Sequence, residues 1–195
     1  MRPRRNVSIL IASVALVLAG CASTAPMSKP ARTPASKRIT ASSTAREATV
    51  NLAGASGSLV SGTLTLVPMG DGVHLSGTIG GLRADSSHGF HIHEKGDCSA
   101  ADASSAGGHF NPTGQPHGRA IQGAHHAGDS DNIVANTSGV ANIDTHLMGV
   151  TLGGGAANDI AGRALVVHAA ADDYSSQPAG NAGARVACGV IKVVR

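Results

Sequence analysis

The chain predicts an all-β domain, an antiparallel sandwich or flattened barrel, on three observations. Apolar and polar residues alternate along short runs, as in Val73, Leu75, Gly77 and Ile79 against His74, Ser76 and Thr78. Gly and Asp punctuate the runs, at Met69-Gly70-Asp71-Gly72 and at Ser138-Gly139. No stretch carries the apolar period of an amphipathic helix. Phe90, Phe110 and Tyr174 are the only aromatic residues, so Val, Leu, Ile and Ala must build the core.

In chain order, Arg2, Arg4 and Arg5 precede Val7 to Val17, an apolar run of eleven residues broken by two serines. That is too short to span a bilayer and suits the apolar region of a secretory signal. Leu18-Ala19-Gly20-Cys21 resembles the lipobox of bacterial lipoproteins. The resemblance implies removal of residues 1–20 as a signal peptide, lipidation of Cys21 and a membrane-held N-terminus. Ala22 after the cysteine leans, by the same resemblance, towards the outer membrane, on the periplasmic side of the cell envelope. Residues 22–47 are dominated by Ser, Thr, Ala and Pro, with five basic residues and one acid. Residues 21–47 therefore read as a lipidated N-terminus and disordered tether, and 48–195 as one folded domain.

This division changes the meaning of the charge. The whole chain carries a net +3, but residues 48–195 hold seven basic residues against eleven acids, a net of −4. No folded basic patch or aromatic stacking platform remains, which excludes a nucleic-acid partner. With Cys21 assigned to lipid, Cys98 and Cys188 are an even pair in an oxidising compartment, and a bridge between them would close a loop of about 90 residues.

Within the domain, candidate strands cover 48–53, 60–66, 73–79, 88–94, 132–136, 139–147, 164–169 and 186–194. Residues 95–131 and 170–185 are too long and Gly-rich for tight turns and read as two functional loops. His91 and His93, two apart on a strand, leave one face while Phe90 and Ile92 leave the other. His109, His117, His126 and Asp129 follow at steps of eight, nine and three in a loop with no apolar period, which a His₃Asp metal site would hold in place. With His168 the set fits two metals, leaving room for one histidine to serve both. Imidazole suits copper and zinc alike. His125 adjoins His126, but the three-residue step to Asp129 selects His126. His74, His88 and His146 fall on or near strands and read as bystanders.

The strings G-F-H-I-H-E-K-G-D-C, G-G-H-F-N-P, H-A-G-D, G-R-A-L-V-V-H and G-N-A-G-A-R-V-A-C-G-V-I, in this order, resemble copper–zinc superoxide dismutase in its secreted bacterial lipoprotein form. The resemblance covers essentially all of 48–195. It implies an eight-stranded Greek-key fold, one copper and one zinc per subunit, and dismutation of superoxide to O₂ and hydrogen peroxide. Copper would be held by His91, His93, His109 and His168, and zinc by His109, His117, His126 and Asp129, with His109 bridging. Asp172 matches the aspartate linking His91 to His117, Cys98 and Cys188 match the intrasubunit disulfide, and Arg185 matches the arginine that attracts the anion. His109 and Arg185 carry the catalytic roles, and the function implied is protection of the cell envelope from oxidative damage. A homodimer belongs to the resemblance, yet the scarcity of aromatics gives an aromatic interface no support.

The chain also departs from the pattern. From His168 to Arg185 is seventeen residues, shorter than in animal members, and Ala179 stands where many have threonine. Lys95, Arg119 and Arg185 are the cations expected near the mouth. Two other classes fit the composition: a catalytically silent copper-holding module and a structural envelope protein. A bridging His109 and an anion-docking Arg185 argue against the first, and bound metal would exclude the second.

Overall fold

The computed structural model describes residues 42–195; the expected signal segment, Cys21 and residues 22–41 of the expected tether lie outside them. The strands are β1 (Ala48–Gly54), β2 (Ser61–Met69), β3 (Gly72–Gly80), β4 (Ser87–His88), β5 (Phe90–His93), β6 (Ile133–Val134), β7 (Ala141–Met148), β8 (Ala164–His168), β9 (Arg185–Val190) and β10 (Lys192–Val193). The eight expected runs are all present. Two are split: 88–94 breaks at Gly89 into β4 and β5, and 186–194 breaks at Ile191 into β9 and β10.

Strand order in the main sheet is β5-β8-β9-β1-β2-β3-β7, with β10 on β1 and a separate β4-β6 pair, and the strand pairs are antiparallel. The chain crosses from β3 to the opposite edge for β5, returns for β7 beside β3, and crosses again for β8. These crossings give the Greek-key character. Alternation sets the inward face: Leu64, Leu66, Val73, Leu75, Ile79 and Leu147 are buried in one apolar core. Gly70, at φ 59°, supplies the positive dihedral that the two-residue β2–β3 turn requires.

Residues 95–131 and 170–185 are irregular as expected, apart from a short 3₁₀ turn at Ser104–Ala106 and Arg185, which opens β9. A third long connection, 149–163, was not expected. Its glycine-rich bend is held by Asp159, whose carboxylate accepts the N–H groups of Gly153, Gly155 and Ala161 at 2.8, 2.8 and 2.9 Å. The expected tether boundary also needs correction. Thr44 and Ala45 donate backbone N–H groups to the Leu152 carbonyl at 3.1 and 3.0 Å, and the Leu152 N–H reaches Ser43 Oγ at 2.9 Å. Glu47 is tied to the C-terminus, its carbonyl accepting Val194 N–H at 3.0 Å. Backbone pairing of this kind leaves no apolar period in a sequence, so residues 42–47 belong with the domain.

Candidate metal centre

The site starts from β5, a strand buried on both faces. Phe90 and Ile92 enter the main core, while His91 and His93 leave the other face and are equally buried. Register places His91 opposite Val166 and His93 opposite Ala164, so β8 shares that face and delivers His168 to it. The covering layer is the 95–131 loop, pinned by the Cys98–Cys188 disulfide and packed through Ala103 and Ala106 on Ala164 and Val166. Gly89 has a direct function here: a Cβ would lie 3.0 Å from His91 Cε1 and 2.9 Å from Ala182 Cβ. The break between β4 and β5 thus makes room for the imidazoles.

His91, His93, His109 and His168 bring one ring nitrogen each within 4.8 Å of one another, and His109, His117, His126 and Asp129 form a second set on the same criterion. All seven residues are buried. Their other atoms are engaged in ways that fix each ring. His93 donates Nδ1–H to the Gly107 carbonyl at 2.9 Å and His168 donates Nδ1–H to Gly183 at 3.3 Å, leaving both Nε2 atoms as acceptors. Those Nε2 atoms lie 3.4 Å apart. Asp172 accepts His91 Nε2–H on Oδ2 at 2.8 Å and His117 Nε2–H on Oδ1 at 2.9 Å, linking the two sets. Carboxylates in this position hold metal-binding rings in one tautomer and orientation. Gly180, at φ 66°, lets the 170–185 loop close over this link, since a Cβ would fall 1.8 Å from Asp172 Oδ1.

His109 is common to both sets. Its Nδ1 lies 2.8 Å from Asp129 Oδ1, and its Nε2, on the far edge of the ring, has no partner. Asp129 Oδ1 also sits 3.1 Å from His117 Nδ1 and 3.3 Å from His126 Nδ1, while Oδ2 accepts the N–H groups of Gly118 and His126 at 3.1 and 2.8 Å. Within the two sets, four buried ring nitrogens are therefore bare: His91 Nδ1, His109 Nε2, His117 Nδ1 and His126 Nδ1. A buried polar atom without a partner costs about 1–3 kcal/mol. Because Asp172 takes the Nε2 proton of His117, its Nδ1 lone pair faces the Asp129 oxygen, an arrangement that needs a cation between them. Imidazoles with one carboxylate suit zinc, and an all-imidazole set suits copper. The residues fit both metals.

Electrostatics favour the neutral, ligating forms. Burial first, with smaller contributions from neighbouring rings, pushes His93 down to about 2 and His168 down to about 3. His109 is lowered to about 4, again chiefly by burial, with the Asp129 hydrogen bond opposing it. For Asp129, burial would raise the carboxyl, but hydrogen bonds from His109 and His126 win and hold it well below the ordinary range.

Arg185 donates Nη1–H to the Ala103 carbonyl and Nη2–H to the Gly107 carbonyl, both at 2.6 Å. The guanidinium is thus held against the covering loop beside β8, where His168 is its register partner. A cavity of about 350 Å³ opens onto His168, lined by Ser176, Gln177, Pro178, Ala179 and Asn181. Lys95 and Arg119, the other two expected mouth cations, have other neighbours. Lys95 lines a different groove with Glu94, Phe110 and Arg163. Arg119 is paired with Asp131 at 3.0 Å and lies over the Tyr174 ring. Neither lines the cavity at His168.

Several supporting residues escaped the sequence reading. His88 is no exposed bystander: it is buried, with Nδ1 2.8 Å from the His168 carbonyl and Nε2 2.7 Å from Ser86 Oγ. Asn132 clamps the backbone of Asp172, accepting its N–H at 2.8 Å and donating to its carbonyl at 2.9 Å. Gln177 does the same for His117, at 2.9 Å in both directions. His125 is turned out, its Nδ1–H on the Gly123 carbonyl at 2.9 Å.

A family model described as copper/zinc superoxide dismutase (SODC) matches residues 60–191. The chain is 42% identical over 136 residues to superoxide dismutase [Cu-Zn] 2 of Aquifex aeolicus (strain VF5), covering 68% of this chain and 80% of that protein. It is 35% identical over 187 residues to superoxide dismutase-like protein YojM of Bacillus subtilis (strain 168), covering 94% of each. Among solved structures, the clock protein EA4 aligns at 39% identity and a TM-score of 0.69, over 79% of this chain and 98% of that one. A SOD-like protein from Bacillus subtilis aligns at 36% identity and a TM-score of 0.65, over 72% and 95%.

Proposed function

This chain belongs to the copper/zinc superoxide dismutase family, and on that premise we propose how its residues divide the work and where in the cell they do it. The enzyme is a superoxide dismutase of the copper/zinc type, converting superoxide to O₂ and hydrogen peroxide. His91, His93, His109 and His168 hold the copper; His109, His117, His126 and Asp129 hold the zinc. The observation that carries this division is the set of four bare, buried nitrogens distributed over two groups that share His109.

Copper, when bound, supplies the one-electron chemistry, and zinc supplies fixed positive charge. The chain's own residues do the rest. Two superoxide anions take up two protons for each peroxide formed, so the site needs a proton carrier. His109 is placed for that, because its Nε2 has no competing partner in the protein. Arg185 docks the anion: a guanidinium keeps its charge and, with two N–H groups spent on carbonyls, presents the remainder to a small ligand. Asp172 and Asn132 keep His91 and His117 in the ligating orientation.

The setting is the cell envelope. The apolar run to Val17 and Leu18-Ala19-Gly20-Cys21 support export, lipidation at Cys21 and a periplasmic position, with the outer membrane favoured by Ala22. There the enzyme removes superoxide before it reaches envelope components. The test is elemental analysis of the purified protein together with dismutation assays before and after copper removal. About one copper and one zinc per chain, with activity that follows copper, are expected. Copper bound without turnover would leave a silent copper-holding module.

A further inference from the structure

The outward face of β2, β3 and β7, at the far end of the strand order from β5 and β8, carries a second group of metal-binding side chains. Register places Val67, His74 and His146 in one row across the three strands, and Met69, Gly72 and Met148 in the next. Alternation sends both rows outward, while Val73, Leu75 and Leu147 between them are buried. His74 and His146 are direct cross-strand partners, with Cβ atoms on the order of 5 Å apart.

Each of these rings is oriented by a carboxylate. His74 Nε2 lies 3.1 Å from Asp144 Oδ1, and His146 Nε2 lies 3.0 Å from Asp71 Oδ1. A carboxylate can only accept, so the hydrogen bond to Asp71 puts the His146 proton on Nε2 and leaves its Nδ1 lone pair free, and Asp144 beside His74 Nε2 favours the same tautomer there. Both Nδ1 atoms are covered and lack a hydrogen-bond partner, so the exposed part of each ring is elsewhere. One nitrogen on a carboxylate and the other bare is how buried metal ligands are set up in proteins, and it repeats the pattern of His91 and His117. Unlike those two, His74 and His146 keep 29% of their side-chain surface open to solvent.

The neighbouring row supplies sulfur. Met69 and Met148 are 52% and 46% exposed, and Gly72 between them puts no side chain in the way. Two flexible thioethers can therefore fold over Gly72 towards the histidine row. We propose that His74, His146, Met69 and Met148 form a surface site for one copper(I) ion, separate from the buried pair. Thioethers select copper(I), imidazole accepts it, and the carboxylates, committed to Nε2–H, balance the charge without offering the oxygen ligands that a hard ion prefers. The proposal rests on the functional reading only in that copper is the metal this enzyme must acquire.

The test uses full-length protein whose buried sites are already filled with copper and zinc, titrated with copper(I) in the absence of oxygen against bicinchoninate. One further copper(I) per chain, with sulfur scattering in its X-ray absorption spectrum, is expected. The double variant His74→Ala/His146→Ala should lose that ion with dismutation unchanged. Met69→Leu/Met148→Leu, which conserves volume, should weaken it at least tenfold and abolish the sulfur signal. No uptake beyond the buried copper, uptake that survives both double variants, or displacement of the ion by equimolar zinc(II) would each overturn the proposal. Dismutation measured on the same samples reports on the catalytic reading independently.

Discussion

Arg185 and His93 share one acceptor: the Gly107 carbonyl takes Nη2–H of the arginine at 2.6 Å and Nδ1–H of the histidine at 2.9 Å. A single backbone oxygen therefore fixes the guanidinium relative to a proposed copper ligand. The loop bearing that oxygen is anchored to β9 by Cys98–Cys188, three residues beyond Arg185.

Arg185→Glu should slow the bimolecular reaction by on the order of tenfold or more while copper content is unchanged, because charge is reversed without touching a ligand. Pulse radiolysis with metal analysis checks both halves. Lys95→Ala should leave the rate and its ionic-strength dependence unchanged, since Lys95 lines another groove. With no Lys or Arg among the residues lining the cavity at His168, that dependence should be shallow beyond a Debye length of about 8 Å at physiological salt.

His109→Ala should abolish turnover and lower the occupancy of both metals, because one ring belongs to both sets. His125→Ala should leave zinc content at wild-type level, its half-buried ring being bound to the Gly123 carbonyl and outside both ligand sets. Metal analysis of the two variants side by side decides between a shared and an unshared ligand.

The metal-free protein should lose stability on acidification from about pH 6.5. Burial holds His93, His168 and His109 neutral when folded, down to about 2, 3 and 4, whereas in the unfolded chain they take up protons near 6.5. The unfolded state binds more protons as pH falls, so their contribution is complete above 6.5 and declines below it. Asp129, held low, acts in the same direction at lower pH, its contribution being lost once the unfolded carboxyl protonates near about 3.9. Thermal melts of chelator-treated protein between pH 7.5 and 4.5 should show a falling midpoint; a midpoint that rises on acidification contradicts this account.

Cys98→Ser/Cys188→Ser should destabilise the domain by about 4–5 kcal/mol on the chain-entropy model, the bridge spanning 90 residues. It should also slow turnover at saturating copper, because Ala103 and Gly107 hold Arg185 from the released loop. Urea titration measures the first effect and a steady-state assay of metal-loaded variant the second.

Cys21→Ser should move the protein from the membrane to the soluble fraction with full activity retained. Activity lost together with anchoring would mean that the N-terminal segment contributes to the site.

What could be read beforehand follows from how each feature is encoded. Alternation such as Val73 to Ile79 is local, and so the strands were legible. The candidate ligands were legible as a group because the spacings among His109, His117, His126 and Asp129 lie within one loop. The residues that hold the ligands were not: His88, Asn132 and Gln177 meet partners 80, 40 and 60 positions away, and nothing in their own neighbourhood marks them. Lys95 and Arg119 show the converse: they adjoin ligands in sequence, yet neither lines the cavity at His168, and that is set by the fold.

β5 has no idle face, and this constrains how the protein can be altered. From Phe90 to His93, successive positions alternate between filling the apolar interior and presenting a ring nitrogen, with no exposed position among them. A screen for thermal tolerance and a screen for lost turnover should therefore return the same four positions. Adjusting the reactivity of the site independently of its robustness is work for cavity-lining residues such as Ala179 and Asn181, which lie beside His168 and outside the apolar core.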